Sequence, residues 1–224
     1  MRQKAPSSSR GRAASDAAPK GKRAVGRPRS GERVIDVNRI VKQAWTLVDR
    51  EGMSGLSTRA LAAKLDVKSP ALYWHVRNKQ ELLTLMLEHI LEDSLQDIPA
   101  MLDWGDWYKA VARRQRKLLL EHRDSGLIAS FAPASDHLRR ELFPRIVGRL
   151  MESLPAELAP VAASGLATLV LGYLIYEQRT DTRELMHSYH QAERGFETLL
   201  DALVKGFSAI ARDMKAKAPG SHIE

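Results

Sequence analysis

Between Leu158 and Tyr176 the chain runs nineteen residues without a charged side chain. No other stretch limits the fold as much, because a helix that is apolar on every side cannot face water. Such a run can cross a membrane, sit in a protein core or form a subunit interface. Pro160, Ser164, Gly165, Thr168 and Gly172 interrupt it, and no basic cluster anchors either end. Both features weigh against a membrane span and favour burial in protein.

The surrounding segments are helical too. Trp107, Val111, Leu118 and Leu119 mark a helix over about Trp104–His122, and another is expected over Ser135–Met151. Phe196, Leu199, Leu200, Leu203, Val204, Phe207 and Ile210 recur at helical spacing in a last helix over Gln191–Met214. Pro133, Pro144 and Pro155 mark boundaries or bends. No strand-like alternation competes, so the chain reads as all-α. Its 224 residues can bury a substantial core. The absence of cysteine excludes a disulfide scaffold, a Cys-ligated zinc site and a thiol nucleophile, and fits a cytoplasmic protein.

The N-terminal half has a finer pattern. Val37, Ile40, Val41, Ala44, Leu47 and Val48, widened by Trp45, form one apolar stripe that should end at Glu51-Gly52, with Gly52 as a left-handed cap. Ser57 or Thr58 can cap a short helix carrying Leu61, Ala62 and Leu65. Asp66 interrupts, and Ser69-Pro70 opens a second short helix. Asn78 then caps a long helix with Leu82, Leu83, Met86, Leu87, Ile90 and Leu91 inward. Two short helices joined by a tight turn and braced by longer ones make a helix-turn-helix. An ordinary three-helix cluster with a solvated basic face is the alternative.

Charge sharpens the choice. The net charge is +8, and residues 1–33 hold ten basic side chains against Asp16 and Glu32, so the rest of the chain is balanced overall. That tail has a disordered composition, and its Gly26-Arg27-Pro28-Arg29 partly matches the core of an AT-hook, with Val25 where an Arg is usual. Within the balanced part, Arg59, Lys64, Lys68, Arg77 and Lys79 face only Asp66 across residues 57–79. A local basic patch beside short aromatic and small polar side chains suits a nucleic-acid duplex.

Ser57-Thr58-Arg59-Ala60-Leu61-Ala62-Ala63-Lys64-Leu65 and Ser69-Pro70-Ala71-Leu72-Tyr73-Trp74-His75-Val76-Arg77-Asn78-Lys79-Gln80-Glu81-Leu82-Leu83 resemble the DNA-binding domain of TetR-family repressors, and most of all the tetracycline-repressor branch. The likeness implies a three-helix helix-turn-helix domain followed by a helical ligand-binding and dimerisation domain. It implies domains at 34–80 and 81–215, after the tail at 1–33 and before a flexible end at 216–224. It places Thr58 and Arg59 on DNA and lines the recognition helix with Ser69, Pro70, Ala71, Tyr73, Trp74 and His75. Lys79 would hold a phosphate; Tyr73 serves either a base or a phosphate and packing role. That branch has Gln where this chain has Ser69 and Thr where it has Ala71, so the operator should differ.

The resemblance further implies a homodimer, a double-stranded operator and a small-molecule effector. The branch's effector-binding His and Glu positions are occupied here by Leu95, by Ala129, Ser130 and Phe131, and by Thr168 and Tyr176. A magnesium–tetracycline chelate would lack its ligands. Leu91, Trp107, Phe131, Tyr173 and Tyr176 are the candidates for a mostly apolar effector pocket. No metal or cofactor site is expected. Met186–His190 offers the one weak metal-binding candidate, and His122-Arg123-Asp124, superficially a kinase triplet, reads as a structural corner because its partner motifs are missing. An enzyme is not expected. An effector-less architectural protein or an activator of the same fold remain the alternatives to a repressor.

Overall fold

The computed structural model describes residues 36–217. The basic tail with Gly26-Arg27-Pro28-Arg29, and the last residues from 218 onward, lie outside them. Among the described residues there are ten α-helices and no strand.

Helix α1, Val37–Gly55, starts where the Asp36 carboxylate accepts the Arg39 N–H at 2.6 Å. Ile40, Val41, Ala44, Trp45, Leu47 and Val48 form its buried face. Gly52 has φ 73° and ψ 176°, so the chain kinks there and resumes helix for one more turn, rather than stopping as the sequence suggested. The kink needs glycine twice over, since φ is positive and a Cβ would stand 3.0 Å from the Asp124 carboxylate.

Helix α2, Thr58–Leu65, is capped by the Ser57 hydroxyl, which accepts the Ala60 N–H at 3.1 Å. Asp66 closes it in the left-handed region at φ 56°, ψ 49°, the conformation that glycine usually supplies and Asp tolerates. Helix α3, Ser69–Tyr73, carries Pro70 in its first turn and buries Leu72 alone. Helix α4, Lys79–Leu95, begins with a reciprocal cap: Asn78 accepts the Glu81 N–H at 2.8 Å, and Glu81 accepts the Arg77 N–H at 2.7 Å. The boundary expected at residue 80 falls inside α4, which packs on α1 at one side and on α5 and α6 at the other.

The body comprises α5 (Trp104–Leu120), α6 (Ser125–Phe131), α7 (Phe143–Met151), α8 (Ala159–Gln178), α9 (Thr180–Tyr189) and α10 (Ala192–Lys217). A π turn over Leu138–Leu142 precedes α7, and the Phe143 N–H donates five residues back to Leu138. Pro144, which has no N–H to donate, sits just beyond, so the extra residue lets the helix pass the proline. Helix α8 packs against α5, α6, α7, α9 and α10. Tyr108 of α5 lies fully buried, donates to the Ala162 carbonyl in the first turn of α8 at 2.9 Å and meets Phe207 edge-on at 6.5 Å. Burial pushes its phenol pKa up, so it stays neutral. Helix α8 is long and apolar enough to cross a membrane, yet only 39% of its most apolar stretch is buried by its own chain. Its exposed residues are Val161, Ser164, Thr168 and Tyr176.

Candidate nucleic-acid interface

The short helices present one polar and aromatic face. Leu61, Ala62, Leu65, Leu72 and Val76 turn inward and are buried. Arg59, Pro70, Ala71, Tyr73, Trp74, His75 and Arg77 are exposed, while Thr58 and Ser69 are half-buried at the helix starts. Trp74 is 89% exposed and Tyr73 49%, so Trp74 in particular adds little to the core beneath. Large aromatic side chains left in water beside cations suit a partner that offers both apolar edges and phosphates.

Lys79, expected at a phosphate, also makes a contact within the fold. Its ammonium donates to the Met53 carbonyl at 2.8 Å, so the side chain stitches the end of α1 to the start of α4. A cation at a helix C-terminus is favourable in itself, and two of its three N–H donors remain for a phosphate.

Sequence reasoning placed a corner at His122-Arg123-Asp124 but did not reveal what it holds. The His122 ring stacks on Trp45, with centroids 4.3 Å apart and planes 13° from parallel. Its Nδ1 lies 3.1 Å from the Asp49 carboxylate, which also accepts the Arg123 N–H at 3.0 Å. The Asp124 carboxylate accepts the Met53 N–H at 2.8 Å. On the opposite side, Gln178 of α8 donates to the His122 carbonyl at 2.8 Å and accepts the Gly126 N–H at 2.9 Å. A continuous set of bonds thus runs from the end of α8, through the corner, to the end of α1 and Lys79. These partners are 26 to 74 residues apart, and no local signal announces them.

Comparison with known proteins agrees with this geometry. The family described as bacterial regulatory proteins, tetR family, matches residues 40–86. Tetracycline repressor protein class E of Escherichia coli is 28% identical over 193 residues, covering 78% of this chain and 92% of that protein. The crystal structure of Mycobacterium smegmatis BioQ superposes with TM-score 0.65 at 30% identity, covering 78% of this chain and 98% of that one. The chain belongs to the TetR family. Another member, Streptomyces coelicolor ActR in complex with actinorhodin, superposes with TM-score 0.66 at 26% identity, over 80% of this chain and 97% of ActR.

Within this TetR-family fold, the five residues expected at an effector pocket have different surroundings. Trp107 is buried beneath the Arg149 guanidinium, 5.9 Å from its ring. Tyr173 is buried against Phe196, and its hydroxyl donates to the Ala192 carbonyl at 2.7 Å. Leu91 is half-buried on α4. Phe131, at the last turn of α6, is 60% exposed, and Tyr176 is 53% exposed. Two grooves, of about 500 and 530 Å³, lie elsewhere and touch none of the five. Aromatic character along a helix does not tell which neighbour each ring will meet. No group of three or more His, Asp or Glu suited to a metal ion occurs among the described residues, Met186–His190 included.

Proposed function

We propose that this regulator is a cytoplasmic homodimeric repressor that binds a two-fold symmetric operator and is released from it by a small organic effector. The observation that carries the DNA-binding part is the exposed Tyr73-Trp74-His75 face, flanked by Arg59 and Arg77 and serving no purpose in its own core. Thr58, Arg59, Ser69, Pro70 and Ala71 complete that face, and Lys79 adds a phosphate contact while holding α1.

The uncovered side of α8 supports dimerisation. Val161 of α8 and Leu199 and Ile210 of α10 are exposed, and Gly172 and Gly206 face open space. An apolar stripe with glycines lets two helices approach closely, and a second copy supplies a matching one. Two recognition helices related by a two-fold axis then reach successive major grooves, which is why a symmetric operator follows.

The effector is proposed by analogy with relatives named for tetracycline and with ActR, whose structure holds actinorhodin. Magnesium–tetracycline is not proposed, because Leu95, Thr168 and Tyr176 offer no ligand set for the metal. The bonds from Gln178 through the corner to Met53 give a route by which a shift in the body can tilt α1 and α4.

The test is a titration of the chain against its own promoter DNA and a random duplex of equal length at ~0.15 M salt. A repressor of this kind prefers the promoter by orders of magnitude and loses that preference with Trp74→Ala or His75→Ala. Equal affinity for both duplexes would mean an architectural protein instead.

A further inference from the structure

A groove of about 500 Å³ opens between α5 and the start of α10, lined by Arg113, Arg116, Lys117, Leu120, Glu121 and Glu193. Its lining includes no residue of the α3 face and none of the residues considered above for an effector. Of the lining residues, Arg116 is the one to consider first. This side chain is only 10% exposed, and its Nε and Nη2 donate to Glu177 at 2.9 and 2.6 Å. Its guanidinium also lies over the Phe196 ring, 4.7 Å from the centroid. Glu177 is 9% exposed, so this inner pair is fixed by burial.

The outer edge is different. Arg116 Nη1 donates to Glu193 at 2.6 Å, and that glutamate side chain is 69% exposed. Burial disfavours the Arg116 charge, but the hydrogen bonds it donates to the two carboxylates outweigh it and hold the guanidinium firmly protonated. A buried cation with one edge satisfied by an exposed carboxylate offers an exchangeable position. Another carboxylate can replace Glu193 there without leaving a buried charge unpaired.

Three neighbouring features suit the incoming group. Lys117 is exposed and has no carboxylate within 4.0 Å among the described residues. Glu193 stands in the first turn of the 26-residue α10, whose N-terminus carries partial positive charge. Leu120, 40% exposed, supplies an apolar wall.

We infer that this groove binds a small amphipathic carboxylate. The carboxylate takes the place of Glu193 on Arg116 Nη1 and pairs with Lys117, and the apolar part lies along Leu120. Arg113 stays with Glu197, to which it makes two bonds of 2.8 and 2.7 Å. The inference concerns binding alone and holds whether or not occupancy alters DNA affinity.

Calorimetric titration of the full chain with 1-naphthaleneacetate, and with its uncharged counterpart 1-naphthaleneacetamide, tests it. The acid should bind roughly tenfold or more tightly than the amide, the worth of one charged contact. Lys117→Gln should weaken the acid by a similar factor. Glu193→Gln should tighten it several-fold, because the competing carboxylate is gone; a purely structural ion pair predicts no such gain. Equal binding of acid and amide to the unmodified protein, or no binding of either at millimolar concentration, would overturn the inference. So would a Glu193→Gln protein, melting as the parent does, that binds the acid no better.

Discussion

Helix α3 and the α8–α10 face both leave apolar surface in water, and the contrast between them shows how neighbouring chemistry assigns such surface a partner. On α3 the exposed groups are large and aromatic, Tyr73 and Trp74, and they sit beside Arg59, His75 and Arg77. On α8 and α10 they are mostly aliphatic, Val161, Leu199 and Ile210, with Tyr176 the aromatic exception, and a Cβ at Gly172 or Gly206 would meet open space. The first face is rough and cationic, suited to a charged and grooved partner. The second is smooth and uncharged over α8, suited to a copy of itself. Exposure alone would have treated the two alike.

The contrast breaks most visibly at the smooth face. Leu199→Glu places a charge where two copies are proposed to meet. Light scattering should then report a monomer, and operator affinity should fall about 10²–10⁴-fold because the second half-site is no longer tethered. Circular dichroism should stay helical, since Leu199 is 47% exposed in the single chain. A dimer that survives this change with undiminished affinity would mean that the uncovered α8–α10 surface serves another partner.

A smaller effect is expected at the rough face. Trp74→Ala should lose about 1–3 kcal/mol of operator binding in all. It should leave the melting temperature unchanged, because the side chain is 89% exposed. Stability and dimerisation unaffected, with operator binding weakened, is the signature that separates this face from the first. A drop in stability would show that Trp74 belongs to the fold after all.

Local chemistry explains why so much of the α1–α4 module was legible beforehand. Ser57, Asp66, Pro70 and Asn78 act on backbone groups within a few residues, and each sits where its own conformational preference put it. Gly52 was recognised as a break, but the extra turn to Gly55 was not, because it is held by Asp124 from 71 residues away. The same reason hid the Lys79–Met53 bond and the role of His122. In the body, helices were readable from their periodicity. Which faces they would present to each other was not, so Trp107, Tyr173 and Phe131 ended in three different surroundings.

Whether the two faces communicate is a separate question, and the corner is where it can be asked. Asp124→Ala strands the partly buried Met53 N–H, which should cost about 1–2 kcal/mol in a urea melt. Asp124→Asn keeps an acceptor oxygen and should recover most of that loss. If promoter affinity also weakens in the alanine variant while the dimer persists, the position of α1 depends on the body. Unaltered affinity would mean that the DNA-binding face is set within α1–α4 alone.

The smallest effect concerns a second tie between α4 and the body, and it depends on pH. His137 Nε2 lies 2.8 Å from Glu92 of α4 and its Nδ1 lies 3.4 Å from Glu141, while Ser135 donates to Glu88 of α4. The hydrogen bond with Glu92 raises the imidazole pKa above its ordinary value; partial burial opposes this, and the charges of Glu141, Glu88 and Glu92 reinforce it. A group whose pKa is raised by folding stabilises the folded state while both states are protonated. That contribution is complete below the unfolded-state pKa, near 6.5, and is lost as pH rises through the higher folded-state value. Urea melts of the parent and of His137→Gln should therefore differ most at pH 6 and converge toward pH 8.5. The gap should be modest, since the ring is about one-third exposed and salt screens it. A gap that widens with rising pH would mean that His137 is held neutral, and that α4 is tied to the body by packing rather than by this charge.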